Sequence, residues 1–119
     1  MHNFKELKVW QEAMSLAKDV FVITRNFPSE EKFGLTSQLN RCSVSVPSNI
    51  AEGAGRQSDK EFNQFLNIAL GSSYELETQL LLSNDFNYIT KEQSQLLTEK
   101  VCKIQKMLNG LKKSVIKTS

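Results

Sequence analysis

The sequence predicts an all-α fold, an antiparallel up-down-up-down four-helix bundle. Apolar residues recur with a helical period in four stretches, at about residues 4–26, 29–54, 58–84 and 90–116. The breaks between these stretches are short, and no segment shows the strict alternation of a half-buried strand. The chain has 119 residues with only two prolines and five glycines, which indicates a single domain, residues 1–119, around one core.

The first stretch is apolar over a wide arc. One stripe consists of Trp10, Met14, Ala17 and Phe21, and an adjacent stripe consists of Val9, Leu16, Val20 and Ile23. Together they cover roughly 180° of the helix, whereas about 100° is enough to face one core. We expect the bundle to cover one stripe and the second stripe, Val9 to Ile23, to contact another subunit. The alternative is that these residues are simply exposed, as single apolar residues often are.

The second stretch begins after Phe27-Pro28, which ends the first helix. Ser29 is placed to cap the new helix, and Glu30 and Glu31 follow in its first turn, where the helix dipole favours acidic side chains. The inner face of this helix is predicted to consist of Leu35, Leu39, Cys42, Val46, Ile50 and Gly53.

A proline lies inside this second helical pattern. Pro47 removes one amide donor, so the Ser43 carbonyl loses its helical partner and a kink is expected. At the far end, Gly53 or Gly55 is expected to stop the helix in a left-handed conformation.

The third and fourth stretches both open with the spacing of a capping box. Ser58 is followed by Glu61, and Thr90 is followed by Gln93. The predicted inner face of the third helix is Phe62, Phe65, Leu66, Ala69, Ser73, Leu76 and Leu80. That of the fourth is Leu97, Val101, Ile104, Leu108, Leu111 and Val115.

The residues that most enzymes need are scarce. The only histidine is His2, at a terminus, and no phosphate loop, nucleophile elbow or metalloprotease motif occurs. Cys42 and Cys102 lie on helical patterns and are expected to be small apolar residues of the interior. We therefore predict a protein that is not an enzyme, with no catalytic residue, metal, cofactor or small-molecule substrate. No apolar run is long enough to span a bilayer and no signal peptide is visible, which predicts a cytoplasmic protein.

Basic side chains are the remaining candidates for contact with a ligand. The net charge of +2 is mild, so nucleic-acid binding is permitted by composition but not required. Contact with RNA or DNA phosphates is predicted for Arg25, Arg41, Arg56, Lys60, Lys103, Lys106, Lys113 and Lys117. The alternatives are that the lysines of the fourth helix form a solvated outer face and that Arg56 forms a structural ion pair with Glu52.

Several segments resemble those of one known family, the bacterial four helix bundle proteins that were first noticed in intervening sequences of 23S rRNA genes and are often labelled as ribosomal proteins. The opening Phe4-Lys5-Glu6-Leu7-Lys8-Val9-Trp10-Gln11-Glu12-Ala13 is similar to the family pattern F-x-x-L-x-V-W-Q-x-A. The segment from Ser45 to Gly53, with Gly55-Arg56, resembles the family's central signature. Further similarity lies at Phe27-Pro28, Gly34-Leu35, Phe65-Leu66, Gly71-Ser72 and Glu75-Leu76-Glu77, and the resemblance covers about residues 4–82.

The resemblance implies a four-helix bundle that assembles as a homopentamer. It also implies a relationship to the accessory protein of diversity-generating retroelements, which binds a reverse transcriptase and, through a basic surface, nucleic acid. Two functions follow as hypotheses. The first is a non-enzymatic, oligomeric adaptor that contacts RNA, DNA or an enzyme acting on nucleic acid. The second is a purely structural module that binds only proteins.

Overall fold

The computed structural model describes residues 2–118, so the first and last residues of the predicted 1–119 domain lie outside it. Four helices make up most of the described chain: α1 (Lys8–Thr24), α2 (Leu35–Ala54), α3 (Asp59–Asp85) and α4 (Lys91–Thr118). Two single-turn 3₁₀ helices, Phe4–Glu6 and Ser29–Glu31, precede α1 and α2. The all-α prediction is therefore confirmed.

The helices are arranged in the order in which they occur in the chain. Each helix packs against the next, α4 returns to α1, and within residues 2–118 neither diagonal pair is in contact. Short connections between helices that pack together force each helix to run opposite to the previous one. The result is the predicted up-down-up-down bundle, which measures 46 × 24 × 20 Å.

The core of the bundle runs along its whole length and receives side chains from all four helices. The largest completely buried side chains include Phe62, Leu16, Leu39, Ile50, Leu66, Leu76, Leu80, Ile104 and Leu108. These residues recur at helical spacing, so each helix buries one face, and the predicted inner faces of α2, α3 and α4 are largely confirmed. None of the helices among the described residues is long and apolar enough to cross a membrane.

The first two helices begin later than predicted. Leu7 is extended, with φ −72° and ψ 122°, and it separates the 3₁₀ turn from α1. The predicted start of the second helix at residue 29 is also wrong, because Gly34 (φ −106°, ψ −116°) separates the Ser29–Glu31 turn from α2. The cap of α2 is Glu31, whose Oε1 accepts a hydrogen bond from the Leu35 amide at 3.2 Å.

Both predicted N-caps are present, with the complete capping box at Thr90, and α3 and α4 begin one residue after their caps. The Ser58 hydroxyl accepts from the Glu61 amide at 3.1 Å, and the Glu61 carboxylate accepts from the Ser58 hydroxyl at 3.1 Å. At α4, the Thr90 hydroxyl accepts from the Gln93 amide at 3.0 Å, while Gln93 Oε1 accepts from the Thr90 amide at 2.8 Å. Three of these four bonds satisfy backbone amides that have no partner within the helix, whereas the Glu61 carboxylate bonds to the Ser58 hydroxyl and not to the Ser58 amide.

The end of α2 differs from the prediction of a left-handed glycine. Gly55 has a right-handed conformation, with φ −83° and ψ −5°, and no described glycine has a positive φ. Gly53 has a different role, because a Cβ atom at this position would lie 2.6 Å from Phe65 Cβ. Glycine is needed here for the close approach of α2 and α3, the pair of helices that packs most closely.

Residues 2–7, which we call the N-terminal strap, lie against the end of α2 and the start of α3. The His2 amide donates to the Ala54 carbonyl at 2.8 Å. The His2 ring lies 4.9 Å from the ring of Phe62, and its Nε2 is 4.0 Å from an Asp59 oxygen. Farther along, the rings of Phe4 and Trp10 meet edge to face at 5.2 Å. The strap therefore connects three helices at one end of the bundle.

Pro47 is buried, and α2 continues through it without interruption.

Pro47→Ala should raise the free energy of unfolding by about 1 kcal/mol, because a proline inside a helix costs about 3 kcal/mol and the loss of its buried ring offsets only part of the gain. Urea denaturation at a fixed protein concentration measures the difference. Ser48→Ala, at the neighbouring exposed position, is the control. A variant no more stable than the wild type would contradict the expectation. A smaller oligomer mass would show that the proline also shapes a subunit contact.

Candidate functional site

An apolar groove runs between α1 and α2 on the surface of the bundle. Its volume is about 600 Å³. Its lining is mostly apolar and includes Trp10, Met14, Ala17, Phe21, Val44, Pro47 and Ala51. Lys18 and Arg25 are its only charged lining residues. We call this surface the α1–α2 groove.

The groove reverses the predicted roles of the two stripes of α1. Val9, Leu16 and Val20 are no more than 4% exposed and belong to the protomer's own core, while Ile23 packs against that core. The predicted subunit interface made of these residues is therefore wrong. The outward stripe is the other one, in which Phe21 is 43% exposed and Trp10 and Met14 are half-buried.

Polar contacts with both neighbouring helices lie on either side of the inward face of α1. Toward α4, Glu12 accepts a hydrogen bond from Lys103 Nζ at 3.1 Å, and Asp19 pairs with Lys100. Toward α2, the Thr24 hydroxyl donates to Asn40 Oδ1 at 3.1 Å. These polar residues flank the arc of α1 that contains Leu16 and Val20, and this arc points at the centre of the bundle.

Four of the predicted basic residues lie toward one end of the bundle. Lys106, Lys113 and Lys117 are exposed and share one stripe of α4, since they are spaced seven and four residues apart. Lys60, in the first turn of α3, borders a small depression that is also lined by Ile116 of α4. Within residues 2–118, no carboxylate pairs with any of these four ammonium groups. We call Lys106, Lys113 and Lys117 the α4 lysine stripe.

Two of the predicted contact residues are already engaged inside the protomer. Arg56 donates to Glu52 at 2.9 Å, lies 4.0 Å from Glu61, and places its guanidinium 4.8 Å from the Phe65 ring centroid. The alternative prediction, a structural ion pair between Glu52 and Arg56, is confirmed. Lys103 is bound to Glu12 of α1. Arg56 and Lys103 are thus paired with carboxylates of the same protomer, which makes them less available to bind a ligand.

The remaining two predicted residues lie far from the α4 lysine stripe. Arg25 caps the end of α1, and Arg41 is exposed near the start of α2. In an antiparallel bundle, the end of α1 and the start of α2 lie opposite the end of α4. The eight predicted basic residues therefore do not form one surface.

The outer face of α3 is a feature that the sequence analysis missed. Ile68, Tyr74, Leu81 and Leu82 are each between 40% and 51% exposed on this helix. Glu75 and Asp85 are exposed beside them. The signal was visible in the sequence, because residues 61–85 contain no lysine or arginine. Ile68, Glu75 and Leu82 are seven residues apart and share one stripe of α3, while Tyr74, Leu81 and Asp85 lie on a second stripe about 100° away.

The polar groups of the interior are arranged for structure. Burial, with the nearby Glu75 carboxylate, raises the pKa of the Cys42 thiol to about 11, which disfavours a reactive thiolate at neutral pH. The hydrogen bond from the Tyr88 hydroxyl to Glu31, 2.8 Å long, raises the pKa of that phenol and ties the α3–α4 turn to the connection before α2. Among residues 2–118, no group of three or more histidine, cysteine, aspartate or glutamate side chains is placed to hold a metal ion.

Known proteins similar to this chain include one with a solved structure. A crystal structure of a protein of unknown function from the S23 ribosomal protein family of Bacteroides thetaiotaomicron VPI-5482 superposes with a TM-score of 0.82. The two sequences are 30% identical, and the match covers 88% of this chain and 95% of the other. Among curated proteins, none matches the chain.

The model of one protein family, described as 23S rRNA-intervening sequence protein, matches residues 5–110. This range includes α1, α2 and α3 and the part of α4 up to residue 110, so Lys113 and Lys117 lie outside it. The chain belongs to the 23S rRNA-intervening sequence protein family.

Proposed function

We propose that this protein is a non-enzymatic, self-associating adaptor that contacts the phosphate backbone of RNA or DNA through Lys60 and the α4 lysine stripe. The observation that carries the proposal is the position of these four lysines, which are exposed toward one end of the bundle and free of carboxylate partners within residues 2–118.

The dimensions of the stripe suit a nucleic-acid backbone. Eleven residues separate Lys106 from Lys117, so the stripe is about 16 Å long at 1.5 Å per residue. One strand of a duplex places about five phosphates along that length, at 3.4 Å each. The lysine side chains are long and flexible, so they can meet several of these phosphates without base-specific contacts.

Self-association is part of the proposal because one protomer is only mildly basic. With a net charge of +2, a single copy gives a weak electrostatic attraction. An assembly of copies repeats the stripe, and binding at one copy raises the effective concentration of nucleic acid at the next. The resemblance of the sequence favours five copies. The α1–α2 groove supports association, because it is an apolar concave surface that no described part of the protomer covers.

Binding of fluorescently labelled single-stranded RNA and duplex DNA, followed by anisotropy over a series of salt concentrations, tests the proposal. In the variant K106Q/K113Q/K117Q, the slope of log K against log salt should become smaller by about two to three per protomer, because each lysine that contacts a phosphate contributes roughly one. The control variant K32Q/R41Q/K91Q removes three exposed positive charges from the other end of the bundle and should bind almost as the wild type does.

Three results would contradict the proposal. Equal weakening in both variants would show that only net charge matters. Absence of binding by the wild-type oligomer at low salt would favour the alternative, a module that binds proteins alone. Cleavage of the RNA in the presence of a divalent metal ion, lost on substitution of Glu52 or Glu61, would show that the protein is an enzyme.

A further inference from the structure

We infer that the α1–α2 groove binds the acyl chain of a long-chain fatty acid, with the carboxylate of the acid held by Arg25 and Lys18. The inference goes beyond the proposed function, since it assigns a ligand to a surface that Lys60 and the α4 lysine stripe do not line. It is supported by the chemistry of the groove lining, by the difference between the two ends of the groove and by the state of its two cations.

The lining of the groove suits a hydrocarbon chain. Apart from Lys18, Arg25 and Ser48, every residue that lines it is apolar, and three of these apolar residues are aromatic. Its volume of about 600 Å³ falls within the range of roughly 300–1,000 Å³ that is usual for small-molecule sites. Along α1 the groove extends from Trp10 to Arg25, about 22 Å at 1.5 Å per residue. An extended acyl chain matches this elongated shape better than a compact ring system does.

The two ends of the groove differ in the same way as the two ends of a fatty acid. At one end lie Phe4, from the N-terminal strap, and Trp10, whose rings meet edge to face at 5.2 Å. At the other end lies Arg25, the residue that follows α1. Because α2 runs opposite to α1, its Ala51 lies toward the aromatic end and its Val44 toward the arginine end. The hydrocarbon tail would therefore lie toward the aromatic end, and the carboxylate would lie toward Arg25.

The two cations of the groove are available to a carboxylate. Lys18 and Arg25 are exposed and seven residues apart on one stripe of α1, and within residues 2–118 neither pairs with an acidic side chain. Lys100 and Lys103, by contrast, are both paired with acids of α1. None of the described residues that line the groove is acidic, so nothing there repels an anion. Arginine forms short, charge-assisted hydrogen bonds with carboxylates, and the alkyl stem of Lys18 can lie along apolar surface while its ammonium group stays at the rim.

A bound fatty acid would also affect self-association. The groove supports self-association in the proposed function, and it cannot hold an acyl chain and a second copy at the same time. We therefore expect the fatty acid to oppose assembly. This consequence rests on the proposed function, whereas the binding itself does not.

Trp10 makes the binding directly observable, because it is the only tryptophan of the chain and it lines the groove. Bromine atoms quench tryptophan fluorescence on contact, so stearate brominated in the middle of its chain should quench Trp10 in a saturable titration. Unbrominated oleate should displace this probe and restore the fluorescence. Methyl oleate and oleylamine have the same chain without the negative charge. They should compete at least about tenfold more weakly, as expected for the loss of a charge-assisted hydrogen bond.

Two variants separate recognition of the head group from binding of the chain. K18Q/R25Q should weaken the binding of oleate about tenfold or more and leave that of methyl oleate unchanged. The matched control R41Q/K91Q also removes one arginine and one lysine, both exposed outside the groove, and should bind oleate as the wild type does. A51F places a ring in the aromatic end of the groove and should weaken oleate and methyl oleate alike. Circular dichroism checks that every variant is helical.

Several results would overturn the inference. One is the absence of quenching by the brominated acid, and another is quenching that oleate does not reverse. Equal competition by oleate, methyl oleate and oleylamine would show that the two cations have no part in recognition. Quenching by vesicles of phosphatidylglycerol with brominated chains, but not by the free brominated acid, would show that the groove contacts a membrane instead.

Light scattering of the wild type with and without oleate tests the effect on assembly. Oleate should lower the mass of the oligomer toward that of the protomer, 13.5 kDa. An unchanged mass in the presence of bound oleate would overturn the expected effect on assembly, because the copies would then associate through another surface. A wild type that is monomeric without oleate at high micromolar concentration would overturn self-association, while the quenching of Trp10 would still decide whether the groove binds the fatty acid.

Discussion

Gly53→Ala should lower the free energy of unfolding by about 1–3 kcal/mol, the usual cost of forcing an extra methyl group into a packed core. The new Cβ would lie 2.6 Å from Phe65 Cβ, 3.0 Å from Phe62 Cδ1 and 3.3 Å from the Phe62 carbonyl oxygen. Two of these atoms belong to the backbone or lie next to it, so rotation of a side chain cannot relieve the overlap. The helices α2 and α3 must separate slightly, which loosens the closest contact of the bundle.

The matched control is the same substitution at Gly110, in the interior of α4. A Cβ there would meet nothing within 4 Å. Gly110→Ala should therefore raise the free energy of unfolding by about 0.5–1 kcal/mol, because alanine loses less backbone freedom on forming a helix. Chemical denaturation of both variants at one protein concentration measures the opposite signs. If Gly53→Ala is as stabilising as Gly110→Ala, the close approach of α2 and α3 at Gly53 is refuted.

Ala69→Leu should have an effect of similar or greater size. Ala69 is completely buried in the middle of α3. Close by, the hydroxyl groups of Ser45 and Ser72 join α2 and α3 through a hydrogen bond of 2.8 Å. Three more carbon atoms at position 69 would push these helices apart, at a cost of roughly 1–3 kcal/mol, and more if the serine pair breaks.

Thermal denaturation of Ala69→Leu measures the loss, and Asn67→Leu is the control. Asn67 is exposed on the same helix, so leucine there adds the same side chain without entering the core. An unchanged melting temperature for Ala69→Leu would show that the α2–α3 contact can accommodate a larger side chain. A drop in both variants would show that leucine on α3 is harmful for a reason other than core packing.

Most of the fold could be predicted from sequence patterns within a few residues of each helix end and from helical periodicity. The N-caps at Ser58 and Thr90 involve residues three apart, so their hydrogen bonds are decided by the sequence near each helix start. The beginning of α2 was less predictable, because Ser29 and Glu31 are both good N-terminal residues. In the structure Glu31 is the residue that caps α2. Its carboxylate also accepts a hydrogen bond from Tyr88, 57 residues away.

The rotation of α1 could not be read from its own sequence. Both stripes are apolar, so the helical period reveals a wide arc but not which edge faces the centre. Which edge faces the centre depends on packing against α2 and α4, and the contacts with α4, such as Lys103 with Glu12, join residues 91 apart in the sequence. The same pair places Lys103, which was predicted to contact phosphates, in an ion pair with Glu12 of α1. By contrast, the Glu52–Arg56 ion pair spans one helical turn and was foreseeable from its spacing.

The N-terminal strap has a consequence for how the chain matures during synthesis. A nascent chain leaves the ribosome with its amino terminus first. The partners that hold His2, however, are Ala54, Asp59 and Phe62. Residues 2–7 are thus translated before their partners and cannot take up this position until α2 and the first turn of α3 have been made. Folding at this end of the bundle therefore requires the chain to have been synthesised as far as Phe62.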